Sequence, residues 1–100
     1  MKFNIELTEF AKEDLINAKN FYDLQVNYLG SYFIDNILLD LESLTFFGGI
    51  HQKVYGYYRM LAKRFPFAIY YDIEKDNKVV VHAILDTRKN PQNIKERLKI

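Results

Sequence analysis

The stretch YRMLAKRFPFAIYYDI, residues 58–73, places five aromatic residues and a proline among basic side chains. Residues 54–62, 66–73 and 78–86 are all rich in β-branched and aromatic residues, which favour strands. The short polar segment at residues 75–77 implies an antiparallel connection between the last two strands, and RFPF turns the chain between the first two. The carboxyl-terminal half is therefore predicted to be a three-stranded antiparallel meander.

Side chains alternate between the two faces of a strand, so the predicted strands divide into a buried and an outer face. The face expected to meet the helices consists of Phe67, Ile69, Tyr71 and Ile73 in the middle strand, and of Val79, Val81, Ala83 and Leu85 in the last. The same alternation puts His82 on the opposite face with Val80, Ile84 and Asp86. His82 and Asp86 are therefore expected to share one outer surface.

The amino-terminal half has apolar residues first at every second position and then at helical spacing. A short strand is predicted at residues 3–7, and Thr8 is a plausible cap for the helix that follows. The helical stripe continues to Leu29, breaks at the Gly-Ser pair of residues 30–31, and resumes in a second helix that the glycines at 48–49 end. Two amphipathic helices in a hairpin are therefore expected.

The last segment, NPQNIKERLKI, begins with Asn90 as a helix cap and Pro91 at the first helical position. A short terminal helix is predicted there. The complete order is a strand, a two-helix hairpin, a three-stranded antiparallel meander and a short helix. This order predicts an α+β fold formed by one domain spanning residues 1–100.

Composition restricts the chain to ordinary globular classes. Apolar residues make up 49% of the chain and charged residues 27%, a balance that separates it from disordered proteins. There is no cysteine and there are two histidines, so neither disulfides nor a metal site is expected. The amino terminus carries acidic residues where a signal peptide would be apolar, which favours a cytoplasmic protein.

Charge is distributed unequally along the chain. Residues 1–45 hold three lysines and eight acids, whereas residues 46–100 hold eleven lysines and arginines and five acids. The carboxyl-terminal half is therefore the expected contact surface for an anionic partner, either nucleic acid or an acidic polypeptide. A solvated surface without a partner explains the same charges equally well.

The element order and one extended motif resemble those of the RelE/ParE toxin superfamily of bacterial type II toxin–antitoxin modules. The motif is a strand carrying Arg59, then KRFPFAIYY, a polar turn, KVVVHAILDTRKNP and a short final helix. It is most similar to the ParE-like plasmid-stabilisation branch. The resemblance implies a toxin that inhibits growth by binding DNA gyrase, needs no cofactor and is neutralised by a cognate antitoxin.

Two alternatives to gyrase binding remain open. RelE-like members of the superfamily cleave mRNA on the ribosome, which requires an acid, a base and cations around the scissile phosphate. The second alternative is a non-toxic binding module derived from such a toxin. RelE-like nucleases place basic residues in the middle of the sheet and an aromatic residue in the terminal segment, whereas this chain has Ala68 and Ile69 in the middle strand and no aromatic residue after Tyr71. Gyrase binding is therefore the favoured function.

The resemblance and the side-chain chemistry select a small set of candidate site residues. For a nuclease, His82 would be the general acid, and Arg59 and Arg88 would bind phosphate. Candidates for binding a partner or nucleic acid are Arg59, Lys63, Arg64, Asp86 and Arg88. Arg59 and Arg88 are expected to form one cationic cleft. The structural alternatives are an ion pair of Arg59 with Asp72 or Asp86, and a solvated sheet edge at Lys63 and Arg64.

Overall fold

In the computed structural model, which describes residues 2–99, a five-stranded sheet has two long helices on one face and a short helix on the other. The strands are β1 (Asn4–Leu7), β2 (Lys53–Val54), β3 (Tyr57–Leu61), β4 (Phe67–Glu74) and β5 (Lys78–Asp86). The helices are α1 (Glu9–Gln25), α2 (Leu29–Phe47) and α3 (Pro91–Leu98). The predicted α+β class and element order are confirmed, except that the strand predicted at residues 54–62 is divided into β2 and β3, which pair antiparallel.

The first and last helices begin where the sequence predicted. The Thr8 hydroxyl accepts a hydrogen bond from the Ala11 N–H at 3.1 Å, and the Asn90 side chain accepts one from the Gln92 N–H at 2.9 Å. Each cap satisfies an N–H group that has no partner within its own helix. Within residues 2–99, no helix combines the length and the apolar character needed to cross a membrane.

The predicted break between the first two helices is wrong by a few residues. α1 already ends at Gln25, and Tyr28, with a φ of 68°, turns the chain into α2. Gly30 lies inside α2, where a Cβ atom would overlap the carbonyl oxygen of Lys19 in α1. The glycine is therefore required for close approach of the two helices, not for ending one of them.

The main core lies between the helical hairpin and one face of the sheet, here called the hairpin face. Fully burying a large apolar side chain contributes about 1.5–3 kcal/mol, so this layer supplies most of the stability. Its buried members are Ala11, Leu15, Ala18 and Tyr22 of α1, Phe33, Ile37, Leu41 and Leu44 of α2, and Met60, Phe67, Ile69, Tyr71, Val79, Val81 and Ile84 of the sheet.

The opposite face of the sheet, here called the α3 face, has a smaller core. Ala68, Tyr70 and Ala83 pack there against Ile94 and Leu98 of α3. Because α3 is only eight residues long, it covers part of this face and leaves the remainder for polar and charged side chains.

The sheet order is β1-β5-β4-β3-β2, so the amino-terminal strand pairs in parallel with the last strand. β1 pairs with β5 only as far as Val81. Beyond that residue, the Asp14 side chain of α1 supplies a hydrogen-bond acceptor to the strand edge: its Oδ2 accepts from the Ile84 N–H at 2.9 Å. A side chain thus satisfies the edge of β5 where no strand does.

The segment between α2 and β2 is fastened to the sheet through Tyr71. The Tyr71 hydroxyl accepts a hydrogen bond from the Gly49 N–H at 2.9 Å and lies 2.5 Å from Nδ1 of His51. Burial lowers the pKa of His51 and raises that of Tyr71. Both groups are therefore held in their neutral forms, which suits a half-buried hydrogen bond.

Candidate functional site

β5 contains a β-bulge at His82. The register pairs Tyr70 with Ala83 but Tyr71 with Val81, which leaves His82 as one extra residue in β5. A bulge places an additional residue opposite one partner and so changes the faces of the residues that follow it. His82 itself lies on the α3 face with Val80, as the alternation predicted, and its ring contacts side chains of β3 and β4.

The bulge overturns part of the predicted alternation. Ile84 packs in the main core, although an outer position was predicted, while Ala83 and Leu85 pack on the α3 face. Asp86 pairs in register with Phe67 and therefore belongs to the hairpin face. The prediction that it shares a surface with His82 is wrong. The prediction assumed that side chains alternate without interruption along β5, and one inserted residue reverses the faces of all residues that follow it.

His82 forms a pair with Asp72 of the neighbouring strand. The distance between His82 Nε2 and Asp72 Oδ2 is 3.0 Å, and the two side chains are 29% and 38% exposed. The ring of Tyr57 lies 5.1 Å from the imidazole, measured between centroids. A carboxylate beside one ring nitrogen fixes the orientation of the imidazole.

Arg59 lies on the α3 face without a counter-ion. Its register partner is Tyr70, and none of the ion pairs found within residues 2–99 includes it. Its Nε atom is buried without a hydrogen-bond partner, as is Oδ1 of Asp72. Among residues 2–99, Asp72 pairs with His82 and Asp86 with Arg88, and the expected ion pair of Arg59 with either acid is not formed. A guanidinium in this state is available to an external carboxylate or phosphate.

Arg88 and Asp86 form a bidentate ion pair on the hairpin side of the sheet. The Nη2 and Nε atoms of Arg88 donate to the two carboxylate oxygens of Asp86 at 2.7 and 3.0 Å. This pairing holds the pKa of Asp86 below its usual range and raises that of Arg88. Arg88 also lies close to Tyr22 of α1. Arg59 and Arg88 therefore lie on opposite faces, and the predicted joint cleft is not formed.

Lys63 and Arg64 are in the loop between β3 and β4, where both are exposed. The N–H of Lys63 donates to Oδ2 of Asp40 at 3.3 Å, which ties the loop to α2. Asp40 is 5% exposed, and its burial raises its pKa. The backbone of the loop is thus anchored while both basic side chains face water.

A cavity of about 320 Å³ opens beside His82, between the start of α1 and the end of α3. Phe10, Tyr57 and Arg97 are among the residues that line it. Arg97 donates to Asp14 Oδ1 at 2.5 Å and to the carbonyl oxygen of His82 at 3.2 Å, so its guanidinium is held in place. Aromatic rings next to an imidazole can hold a planar group such as a nucleobase.

The arrangement of elements resembles that of a known structure. A chain of the solved structure described as a chromosomal ParDE TA system from P. aeruginosa matches with a TM-score of 0.76. The alignment covers 87% of this chain and 98% of that chain, at 15% sequence identity. This chain shares the fold of that chain. No protein-family model and no curated protein sequence matches it. The fold that the resemblance implied is confirmed.

The structure divides the candidate residues into two groups. His82 and Arg59 share the α3 face, whereas the Asp86 and Arg88 pair lies on the hairpin side. Glu74 was not among the predicted site residues, although one of its carboxylate oxygens lies within 4.8 Å of donor atoms of Asp72 and His82. The spacing of Asp72 and Glu74, two positions apart on a strand, is the signal that places them on one face.

Proposed function

We propose that this chain is the toxin of a type II toxin–antitoxin module and acts in the cytoplasm as a ParE-like inhibitor of DNA gyrase. The observation that carries the proposal is the half-buried Arg59, which lies on the sheet of a fold shared with a chain of a ParDE system and has no counter-ion within residues 2–99. Inhibition by binding requires a complementary surface and no complete catalytic set. One domain, residues 1–100, would carry the activity.

The antitoxin is proposed to bind along β3 on the α3 face. Leu61 lies on the same side of this strand as Arg59 and is 58% exposed. Tyr57, two residues before Arg59, adds an aromatic ring on the same face. Arginine beside aromatic residues is typical of binding hot spots. An acidic antitoxin segment would pair with Arg59 and cover the apolar side chains on either side of it.

The separation of the cations favours gyrase binding over RNA cleavage. A nuclease needs its acid and its phosphate-binding groups around one scissile bond. Arg88 is held by Asp86 on the hairpin side, and Lys63 and Arg64 lie in the loop beyond the strand ends. The predicted catalytic set of His82, Arg59 and Arg88 therefore does not converge.

RNA cleavage is the second candidate function, favoured by the surroundings of His82. Asp72 positions the imidazole at 3.0 Å, and the cavity beside it contains aromatic side chains. In such a reaction His82 would transfer the proton and Arg59 would stabilise the charge that develops on phosphate. Ribosome-bound mRNA would be the substrate.

Controlled expression of the chain in bacteria separates these functions. Gyrase inhibition is expected to arrest growth with a DNA-damage response while protein synthesis continues. RNA cleavage would stop protein synthesis first and leave codon-dependent cuts in mRNA, and His82→Gln would abolish it. A normal rate of growth after induction would remove both toxic activities and leave the non-toxic binding module.

Arg59→Ala is expected to weaken the antitoxin complex about thirtyfold, or about 2 kcal/mol, which is the usual effect of losing a hot-spot arginine. The probe is the product of the neighbouring gene that relieves the growth arrest, and calorimetry measures the affinity. Arg88→Ala is the matched control, because Arg88 is an exposed arginine with an internal partner on the other side of the sheet. Equal affinities of the two variants would contradict the assignment of the α3 face.

A further inference from the structure

Three metal-binding side chains meet on the α3 face at the end of β4. Asp72, Glu74 and His82 each offer one donor atom, and these atoms all lie within 4.8 Å of one another. We propose that they bind a divalent transition-metal ion, with Zn²⁺ as the best fit. One imidazole nitrogen and two carboxylate oxygens form a ligand set that this ion commonly uses in open, three-ligand sites.

The pairing of β4 with β5 provides the geometry for this site. Asp72 and Glu74 are two residues apart in β4 and project from the same face. Asp72 pairs in register with Val80, and His82, two residues later in β5, lies on the same face. Its imidazole comes within 3.0 Å of the Asp72 carboxylate. His82 is also the extra residue of the β-bulge, and bulges are frequent next to functional sites.

Two of the donor groups retain capacity for a further ligand. Asp72 Oδ1 is buried and has no hydrogen-bond partner within residues 2–99. A buried carboxylate oxygen in this state is costly and points to an ion or water as its partner. Glu74 takes part in none of the ion pairs within the same residues, because Lys78, its register partner, pairs with Glu6 at 3.0 Å.

The distances allow a four-coordinate ion after small side-chain movements. Ligand bonds of 2.0–2.2 Å at tetrahedral angles place donor atoms about 3.4 Å apart. The 3.0 Å contact between His82 and Asp72 would therefore open slightly, and Glu74, which is exposed and free to rotate, would close in. Three protein ligands leave one position for water or for a group of a partner. The site was not predicted from the sequence, because counting cysteines and histidines overlooks carboxylates on one strand face.

Calorimetric titration of the untagged, chelator-treated chain with Zn²⁺ tests the proposal. One ion is expected to bind per chain, and Co²⁺ at the same site is expected to give the visible absorption of a tetrahedral complex. Glu74→Gln is expected to weaken Zn²⁺ binding at least about tenfold, since even indirect partners of metal ligands cost that much when lost. Glu42→Gln, an exposed acid on α2, is the matched control and should bind like the unaltered chain.

The outcomes separate this site from its alternatives. If the unaltered chain binds no Zn²⁺, or if Glu74→Gln and Glu42→Gln bind it equally well, the proposal is wrong. Loss of binding in His82→Gln with retention in His51→Gln would assign the imidazole ligand to His82. The measurement uses the isolated chain and metal alone, so its result is independent of toxicity and of any antitoxin.

Discussion

Gly30→Ala is expected to lower the free energy of unfolding by about 3 kcal/mol, the upper part of the usual range for overpacking. The added methyl carbon would overlap the carbonyl oxygen of Lys19 and stand 2.6 Å from Cγ of Asp23. A helical carbonyl oxygen cannot move away without displacing α1. Asp23 is also held in place, because its carboxylate accepts hydrogen bonds from the Gly30 N–H and from Lys19 Nζ, both at 2.8 Å.

Urea unfolding measures this effect, with Ser31→Ala as the control. Ser31 is the next residue in α2 and is exposed, so a change to alanine there should alter stability by less than about 0.5 kcal/mol. Alanine at either position gains helix propensity, which would favour the variants. A Gly30→Ala protein as stable as Ser31→Ala would show that the two helices do not cross as closely as described.

Asp14→Ala is expected to cost about 3 kcal/mol, because it removes one acceptor that serves two buried donors. Asp14 Oδ2 accepts from the Ile84 N–H at 2.9 Å, and Oδ1 accepts from Arg97 at 2.5 Å. The carboxylate is only 11% exposed and the Arg97 side chain 23%. Without Asp14, an N–H at the edge of β5 and a partly buried guanidinium both lose their partner.

Two further variants, Asp14→Asn and Glu13→Ala, are compared with Asp14→Ala by urea unfolding. The amide that Asp14→Asn introduces can still accept from one donor, so an intermediate loss is expected. Glu13 is an exposed acid on the same turn of α1 and should be replaceable at almost no cost. If Asp14→Ala and Glu13→Ala unfold at the same denaturant concentration, Asp14 does not join α1 to β5 and α3.

The element types were predictable because each follows from a local rule. Apolar period, the caps at Thr8 and Asn90 and the polar turn at residues 75–77 all act over a few neighbouring positions. The position of Gly30 was misread for the same reason. The sequence does not distinguish a glycine that ends a helix from a glycine that allows a second helix to pack closely. Only the contact of Gly30 with α1 shows that it has the second role.

The candidate site was less predictable because it depends on the register of β4 against β5. One inserted residue at His82 moves Asp86 to the hairpin side, while His82 pairs with Asp72 across the two strands. In the part of the chain that the structure describes, Arg59 forms an ion pair with neither of the two acids that the sequence analysis considered. No local pattern in VVVHAILD marks the bulge, since valine and isoleucine, which favour regular strands, lie on both sides of His82.

The pairing of β1 with β5 has a consequence for synthesis on the ribosome. Thr8 contacts the carbonyl oxygen of His82, 74 positions later, and Asp14 contacts Arg97, 83 positions later. A chain that emerges amino terminus first at about 5–20 residues per second must keep β1 without a sheet partner for several seconds. The α1–α2 hairpin can form in that interval, but the α3 face is assembled only after β5 and α3 emerge. Incomplete chains therefore lack the surface that carries Arg59 and His82 in its final form.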